Sequence, residues 1–390
     1  MAKKETNEFE AARKKRRAKI ATGRFKKFVG AALLFAIVCG AVYIFVTEDV
    51  IGNIGDRIAS AGSGGTMPVE MAGNSVTDTF TCGDNIGILT DGAVYLYAKS
   101  GKLLLSQQHD MVNPVVEASG RRFLIYDQGG TKLMVRMRDK VLFEKEFDNT
   151  IISASLSDDG WLSVVTKAQR YASKLSVWDS TYETEVFSWS ASNEYIVCGA
   201  ADAGSKTVAA AALSANDYGE IVTTVHVFTT EAAVELSKRE FKGAAVISLA
   251  YDGNGDVKLV CDSLAALIDR NGNLLGNCYF DREPIRVINR SGSAGAAVIF
   301  DRYTESRATE IIFLGEKFEN KKTVSVSGKF VCASAAGSKT AVYCSGTVNV
   351  FDRNGERTAT LVSEPDVLLI QLTKESVFAV NRTELREVKS

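Results

Sequence analysis

The sequence predicts an all-β protein, a β-propeller of eight blades, preceded by one transmembrane α-helix. Two observations carry this prediction. Near the N-terminus, 19 consecutive residues are free of charge, and in the rest of the chain a turn motif recurs at a spacing near 42 residues. Repeats of this length with four short strands are typical of propeller blades. The expected architecture is therefore a single membrane span followed by one long repeat domain.

The composition is that of a folded protein, because 46% of the 390 residues are hydrophobic and 24% are charged. These values exclude a disordered or collagen-like chain. The formal net charge of −1 is unevenly distributed: residues 1–27 carry +8, residues 47–66 carry −2 and residues 67–390 carry −7. Nucleic-acid binding needs a basic surface, so the acidic main domain argues against nucleic acid as a partner.

Residues 28–46 are predicted to form an uncleaved transmembrane signal anchor. A helix of 19 residues is about 28 Å long, close to the ~30 Å hydrocarbon thickness of a bilayer. A soluble core helix is one alternative, but such helices are rarely apolar on every face over this length. A cleaved signal peptide is the other. Its apolar region is usually shorter, and Thr47, Glu48 and Asp49 offer no small-residue cleavage site.

The flanking charges predict how the span is oriented. Since positive flanks stay in the cytoplasm, residues 1–27 are expected to form a basic cytoplasmic tail that contacts anionic lipid headgroups. Residues 47–66 are expected to form a juxtamembrane helix and a Gly/Ser linker, because apolar residues recur at helical spacing before the glycines. Residues 67–390 are expected to form an extracytoplasmic propeller. The predicted location is the cell membrane, with a single pass.

The repeats are defined by a recurring turn. Gly101, Gly272 and Gly355 hold the same place in a strand–turn–strand pattern, and their separations of 171 and 83 residues are close to four and two repeats of 42. Short β-branched and aromatic runs lie between Gly, Asn, Asp and Ser turns throughout the domain. The predicted blades are residues 75–111, 112–150, 151–194, 195–244, 245–284, 285–329 and 330–364.

The eighth blade is predicted to join the two ends of the domain. Only three strands follow Pro365, so residues 68–71 are expected to supply the fourth and to close the ring without a free edge. Seven blades is the alternative, with the alanine-rich unit as an insertion. Residues 208–213 prefer helix intrinsically, whereas the eight-bladed ring requires them to form a central strand whose small side chains let neighbouring blades approach.

The turns at 269–272 and 352–355 resemble those of PQQ-like and WD40-like propeller repeats. Trp178 and Asp179 close a predicted third strand, as the Trp-Asp pair does in WD40 blades. The general pattern covers residues 67–390, although only one Trp-Asp pair occurs and the Trp that ends many PQQ-like repeats is mostly replaced. The whole chain also resembles an uncharacterised family of Gram-positive bacterial membrane proteins defined by a domain of unknown function. That resemblance implies no activity.

No catalytic, cofactor-binding or metal-binding residue is predicted, and no cofactor. His109 lies in a polar loop and His226 in a strand of a different predicted blade, without a converging set of ligands or a nucleophile. Residues 252–256 begin like a calcium loop. Because Val257 and Ser263 stand where the loop needs Gly and a bidentate Glu, a hairpin turn is the expected structure.

The cysteines of the main domain are predicted to be buried free thiols, because they lie in strands among apolar neighbours. Cys332 and Cys344 form the only local pair, and a disulfide between them stays an open alternative. The two stand opposite each other if their hairpin turn centres on Ser338. A shift of one residue places them on opposite faces of the sheet.

These features predict a membrane-anchored interaction scaffold of the cell envelope, with an envelope protein as its partner. The rim loops expected to make contacts are 105–113, 167–174, 214–220 and 301–309, with the polar side chains of Arg170, Asn216, Asp217, Arg302 and Glu305. Two alternatives stay open. One is an extracytoplasmic enzyme with acids or histidines at the central channel, and the other is a ligand sensor that works through a partner membrane protein.

Overall fold

The computed structural model describes residues 64–71, 75–289, 295–302, 308–364 and 366–388. Within these residues, every sheet has four antiparallel strands, and there are eight such sheets. The predicted eight-bladed propeller is therefore confirmed, and the seven-bladed alternative is wrong. The predicted anchor, residues 28–46, lies outside the described residues, as do the tail and the predicted helix before Gly64. Among the residues that the structure does describe, no helix has the length and apolarity needed to span a membrane.

The first strand in the chain, β1 (Val69–Glu70), belongs to the last blade. Blade 1 contains β2 (Val76–Cys82), β3 (Asn85–Thr90), β4 (Ala93–Tyr97) and β5 (Leu103–Gln108). Blade 2 contains β6 (Pro114–Ser119), β7 (Arg122–Asp127), β8 (Lys132–Arg136) and β9 (Val141–Glu146). Blade 3 contains β10 (Ile151–Leu156), β11 (Leu162–Lys167), β12 (Ser173–Trp178) and β13 (Glu185–Ala191). Blade 4 contains β14 (Tyr195–Asp202), β15 (Thr207–Ala215), β16 (Ile221–Thr229) and β17 (Val234–Lys242).

The remaining blades follow in chain order. Blade 5 contains β18 (Val246–Tyr251), β19 (Val257–Cys261), β20 (Leu264–Ile268) and β21 (Leu274–Tyr279). Blade 6 contains β22 (Arg286–Asn289), β23 (Ala296–Arg302), β24 (Ala308–Leu314) and β25 (Asn320–Ser327). Blade 7 contains β26 (Phe330–Ala336), β27 (Lys339–Cys344), β28 (Thr347–Phe351) and β29 (Arg357–Val362). Blade 8 contains β30 (Leu369–Leu372), β31 (Val377–Val380) and β32 (Glu384–Val388), with β1 as its fourth strand.

The ring closes through β1. Val69 pairs with Leu385 on β32, Glu70 pairs with Glu384, and the N–H of Met71 donates to the carbonyl oxygen of Thr383 at 2.7 Å. The first strand of every blade contacts the first strands of both neighbouring blades, and β30 contacts β2 across the closure. The prediction that residues 68–71 complete the last blade is confirmed, with a shorter strand than expected.

The hydrophobic core is divided among the contacts between blades. Each of eight apolar clusters joins two neighbouring blades, including blades 8 and 1 across the closure. In the alanine-rich strand β15, Ala209 and Ala211 pack toward blade 5, whereas Ala210 and Ala212 pack toward blade 3. Tertiary packing thus overrides the intrinsic helix preference of this segment, because only small side chains fit between blades on both sides.

The antiparallel order of the strands gives the ring two distinct faces. Turns between the first and second strands, and between the third and fourth, lie on one face, which we call the bottom face. Connections between the second and third strands, and from one blade to the next, lie on the opposite top face. The described chain begins at the bottom face, since a Cβ at Gly101, in a bottom turn of blade 1, would lie 2.9 Å from the carbonyl oxygen of Thr66.

The turn between the third and fourth strands explains the repeat motif. Gly101, Gly272 and Gly355 have φ angles of 88°, 81° and 75°, a region that favours glycine. In three other blades, a residue other than glycine has a positive φ in this turn. These residues are Tyr182, Ala233 and Phe318, with φ angles of 60°, 50° and 57°.

Burial offsets the strain at two of these positions. The hydroxyl of Tyr182 donates to the carbonyl oxygen of Gly160 at 2.7 Å, and Phe318 is fully buried between blades 5 and 6. The exposed side chain of Ala233 has no comparable packing. Its strained backbone is therefore left without an evident compensation.

Ring closure by β1 predicts a difference between two neighbouring substitutions. Val69 packs into the cluster between blades 8 and 1, whereas Glu70 is exposed. We expect Val69→Ser to lower the free energy of unfolding by about 1–2 kcal/mol, because it removes apolar contacts at the closure. Glu70→Ser is the matched control and should change stability by less than about 0.5 kcal/mol. Urea unfolding of both variants measures the difference, and equal midpoints would contradict closure by this strand.

The strain at Ala233 predicts a stabilising substitution. Ala233→Gly should raise the free energy of unfolding by roughly 0.5–1 kcal/mol, because glycine adopts a positive φ without steric cost. Ala232→Gly is the control, since Ala232 is exposed in the same turn and is not among the residues with positive φ. It should be neutral or destabilising. Thermal unfolding of the two variants is the measurement, and a destabilised Ala233→Gly would show that the turn is not strained.

Candidate functional site

The four predicted rim loops all lie on the top face. Residues 105–113 include the connection from blade 1 to blade 2, and residues 167–174 and 214–220 join the second and third strands of blades 3 and 4. Residues 301–309 join the same strands of blade 6, although 303–307 lie outside the described residues. Loops that are far apart in sequence are therefore brought to one surface.

Within these loops, the groups presented to solvent differ from the prediction. Arg170 and Asp217 are exposed, as predicted. Asn216 instead forms hydrogen bonds within its own loop, where its Oδ1 accepts the backbone N–H groups of Tyr218 and Glu220 at 3.0 and 2.9 Å. This cap turns Tyr218 outward, where 94% of it is exposed. Glu305 and the side chain of Arg302 lie outside the part of the chain that the structure describes.

Exposed apolar side chains are concentrated at the top face. Those at the top ends of strands or in top connections are Val112, Tyr171, Tyr195, Tyr218, Ile221, Ile247, Tyr279, Ile285, Val331, Val362 and Leu368. Those near the bottom face are Leu103, Val141, Val234, Leu236 and Leu275. The top residues are spread around the ring from blade 1 to blade 8 and offer a partner several points of apolar contact.

The same face is acidic. Exposed carboxylates in its connections are Asp91, Asp110, Asp148, Asp217, Glu220, Asp281, Glu283, Glu364 and Asp366. Exposed basic residues in the described top connections are Arg170, Lys329 and Arg382. Three of these acids already form ion pairs with bases: Asp110 with Lys132, Asp281 with Arg282, and Glu364 with Arg386. The remaining carboxylates favour a partner that carries positive charge, because complementary charges steer association.

The central channel is lined by the first strands of the blades. One cavity of about 340 Å³ lies among blades 2 to 6, and another of about 550 Å³ lies among blades 6, 7, 8, 1 and 2. Many polar side chains here hold neighbouring first strands together: Ser153 and Ser155 donate to the carbonyl oxygens of Val197 and Gly199, each at 2.6 Å. These hydrogen bonds satisfy backbone carbonyl groups that would otherwise face the channel without a protein partner.

Glu117 is the most perturbed acid of the channel. Burial raises its pKa to about 7, and a hydrogen bond from the backbone N–H of Leu156, at 3.1 Å, opposes the rise. The residue is exposed to channel water, which weakens the effect of the nearby protein on its carboxyl group. Its charge also contributes, after burial, to raising the pKa of the Cys198 thiol to about 12.

Asp78 is a second perturbed acid, in the neighbouring blade 1. Burial raises its pKa, whereas the backbone N–H of Thr79, at 2.8 Å, and the charge of Arg286 lower it. Asp78 and Arg286 line the larger cavity, and Glu117 lines the smaller one. Both acids can therefore hold a proton at a higher pH than an ordinary carboxyl group, but they belong to different cavities.

The two histidines are not brought together. Nε2 of His109 lies 3.1 Å from the carbonyl oxygen of Thr90. The side chain of His226 is buried on β16 in blade 4, with Nδ1 2.7 Å from Glu235 and Nε2 3.0 Å from Glu194. The sequence predicted their separation correctly, but not the two carboxylates that hold His226.

The 252–256 segment is a hairpin turn, as expected. Oδ1 of Asp252 accepts the backbone N–H groups of Asn254 and Asp256 at 2.8 and 2.9 Å. In the described parts of the chain, no three His, Cys, Asp or Glu residues are grouped in a way that could hold a metal ion.

The six described cysteines are free, and the alternative disulfide between Cys332 and Cys344 is wrong. Cys332 pairs with Tyr343, and Cys344 pairs with Phe330 across a bulge. As a result, Cys332 faces blade 8 and Cys344 faces blade 6. Burial raises the pKa of the Cys332 thiol to about 12, which suits an unreactive core residue.

Comparisons with known proteins agree with this architecture. The model of a family described as "Family of unknown function (DUF5711)" matches residues 67–389. The C-terminal WD40 domain of Sif2 is similar with a TM-score of 0.58 and 12% identity, over 84% of this chain and 100% of that one. BamB from Moraxella catarrhalis is similar with a TM-score of 0.50 and 12% identity, over 83% and 99%. At such identities the likeness shows the propeller fold alone. No curated protein matches the sequence.

The raised pKa of Glu117 predicts a pH-dependent loss of stability. Below pH 4.5 the carboxyl is protonated in both the folded and unfolded states, and as the pH rises toward 7 only the folded state keeps the proton. The parent should therefore lose stability relative to Glu117→Gln across this interval, by about 1 kcal/mol once the effect of channel water is included. Unfolding at a series of pH values measures this difference. Glu144→Gln, on the exposed strand β9, controls for the loss of one charge, and parallel curves for parent and Glu117→Gln would contradict the prediction.

Proposed function

We propose that this chain, which belongs to the family of unknown function DUF5711, is a protein-interaction scaffold whose top face binds a partner in the cell envelope. The observation that carries the proposal is the concentration of exposed apolar side chains on that face. A rigid ring presents such groups at fixed positions, which lowers the entropic cost of binding. In the described part of the chain, eleven exposed large apolar side chains lie at the top face and five lie near the bottom face.

We further propose that residues 28–46 anchor the ring in the cell membrane, with residues 1–27 in the cytoplasm against anionic lipid and the propeller outside. The 19 uncharged residues and the +8 flank support this topology. The described chain begins at the bottom face, beside Gly101.

The chemistry of the top face indicates the kind of partner. Tyr218 and Val112 are 94% and 91% exposed and offer apolar contact area. The surrounding carboxylates favour lysine and arginine on the partner, and tyrosine rings also attract such cations. We therefore expect a protein with a basic and partly apolar docking surface. Its affinity should fall as salt is raised, because exposed charges are screened.

One observation favours the enzyme alternative. Glu117, whose pKa is raised to about 7 by burial, lines a cavity, and perturbed acids in cavities often mark functional sites. The Glu117→Gln variant separates the two functions. Retention of the partner with loss of a catalytic activity would identify an enzyme, whereas the scaffold predicts that the partner and the biological function are both retained.

The scaffold proposal predicts the effect of substitutions on one face. In intact cells treated with a membrane-impermeant amine crosslinker, the full-length chain should form a defined adduct with its partner. Tyr218→Ser and Val112→Ser should each lower adduct yield, consistent with about 1–2 kcal/mol of binding energy, or roughly five- to thirtyfold in affinity. Val234→Ser is the control, because Val234 is 53% exposed near the bottom face and should leave the yield unchanged.

Two results would contradict the proposal. If no adduct forms in intact cells but one forms after lysis, the propeller is not outside the membrane. If the top-face and bottom-face variants lose the adduct equally, the top face is not the binding surface.

A further inference from the structure

Blade 8 has an incomplete fourth strand. In the other seven blades this strand contains six to nine residues, whereas β1 contains two. The β1 ladder on β32 ends at Leu385. Beyond it, β32 continues for three residues, Arg386–Val388, whose outer edge pairs with no described residue. Of these, Glu387 directs its backbone N–H and C=O groups to that edge, whereas Arg386 and Val388 direct theirs to β31. We call the space beside this edge the open slot.

The open slot arises because the chain before β1 turns away from β32. A Cβ at Gly65 would lie 2.3 Å from the backbone nitrogen of Lys102, and Thr66 contacts Gly101. Both contacts are with blade 1. The backbone positions that would extend the β1 ladder toward the bottom face are therefore directed to the neighbouring blade, and the lower half of β32 is left without a fourth strand.

A groove lies beside the open slot, between blades 7 and 8. Its volume is about 580 Å³. Apolar side chains from both blades line it: Ala359 and Leu361 come from β29, and Leu372, Val377 and Val388 from blade 8. A strand that continued β1 downward would direct alternate side chains toward blade 7, and these would enter the groove.

Charge at the bottom end of the groove is unbalanced. The two lining acids are engaged: Glu375 pairs with Lys99 at 2.8 Å, and Glu387 accepts the hydroxyl of Ser376 at 2.5 Å. Lys339 and Lys374 line the same end, are exposed, and form no ion pair with an acid among the described residues. An occupant with a carboxylate at this end would complete the ion pair.

We propose that the open slot binds an extended segment of a partner protein, which pairs with the outer edge of β32 at Arg386–Val388 and completes blade 8. The segment would run antiparallel to β32, place apolar side chains at alternate positions into the groove, and carry an acidic residue at its N-terminal end beside Lys339. Backbone hydrogen bonds supply affinity and the groove supplies selectivity in this mode of recognition. The site lies on the side of the ring and is independent of the top face.

The probe that tests the proposal is a fluorescent octapeptide of alternating threonine and valine with glutamate at its N-terminal end. Its binding to the full-length chain in detergent is measured by fluorescence anisotropy. Hydrogen exchange of the backbone amide of Glu387, which points to the open slot, is followed in the same samples. Saturable binding, with exchange of this amide slowed by about tenfold or more, is expected, because a new ladder hydrogen bond protects it.

Two controls separate strand addition from adsorption. A peptide of the same sequence, methylated on the amide nitrogens that face β32, should lose binding while it keeps every side chain. Ala359→Trp fills the groove and should weaken binding by about tenfold or more. Thr360→Trp is the matched variant: it adds the same side chain at the next position of β29, which lies on the opposite face of the strand and outside the groove.

Each other outcome overturns the proposal. Slow exchange of the Glu387 amide without peptide would show that another part of the chain already occupies the open slot. Protection that rises with protein concentration would identify a second copy as the occupant. Failure of the octapeptide to bind, or equal binding of the methylated peptide, would show that β32 accepts no added strand.

Discussion

The packing of blade against blade is the constraint on which the rest of this structure depends. Each sheet is apolar on both faces, and each of the eight clusters is shared between two neighbours. A blade at an open end would expose one of these faces to water, so the ring must close. Closure explains why β1 joins β32 and why β15 consists largely of alanine. It also explains why serines of the first strands bond to neighbouring backbones.

Much of the fold could be predicted because the blades share a turn that favours one residue type. A turn that needs a positive φ favours glycine, and glycines at a constant spacing reveal the repeat. The same turn was not recognisable in blades 3 and 6, where Tyr182 and Phe318 occupy the strained position. Their side chains are buried, so tertiary packing compensates for a backbone conformation that the local sequence does not favour.

The candidate site was predictable at the level of loops but not of side chains. Counting strands fixes which connections share a face, so loops of blades 1, 3 and 4 could be grouped. Which side chain a loop exposes depends on the hydrogen bonds within the loop. Asn216 accepts a backbone hydrogen bond from Tyr218, and the side chain of Tyr218 is exposed to solvent. No feature of the sequence singled out Glu117. An acid in a strand is expected to be solvated, and only the closed ring shows that protein lies close to its carboxyl group.

The way in which the chain joins the ring also determines how the molecule responds to mechanical load. A force applied to the chain before Gly64 reaches β1 first, and β1 is held by two residue pairs and the hydrogen bond from Met71 to Thr383. Every other blade is a continuous four-stranded segment of the chain. Tension would therefore detach β1 before any other strand, while the contact of β30 with β2 still joins blades 8 and 1. The strand that completes the circle is its mechanically weakest element, and its release leaves seven blades intact to guide its return.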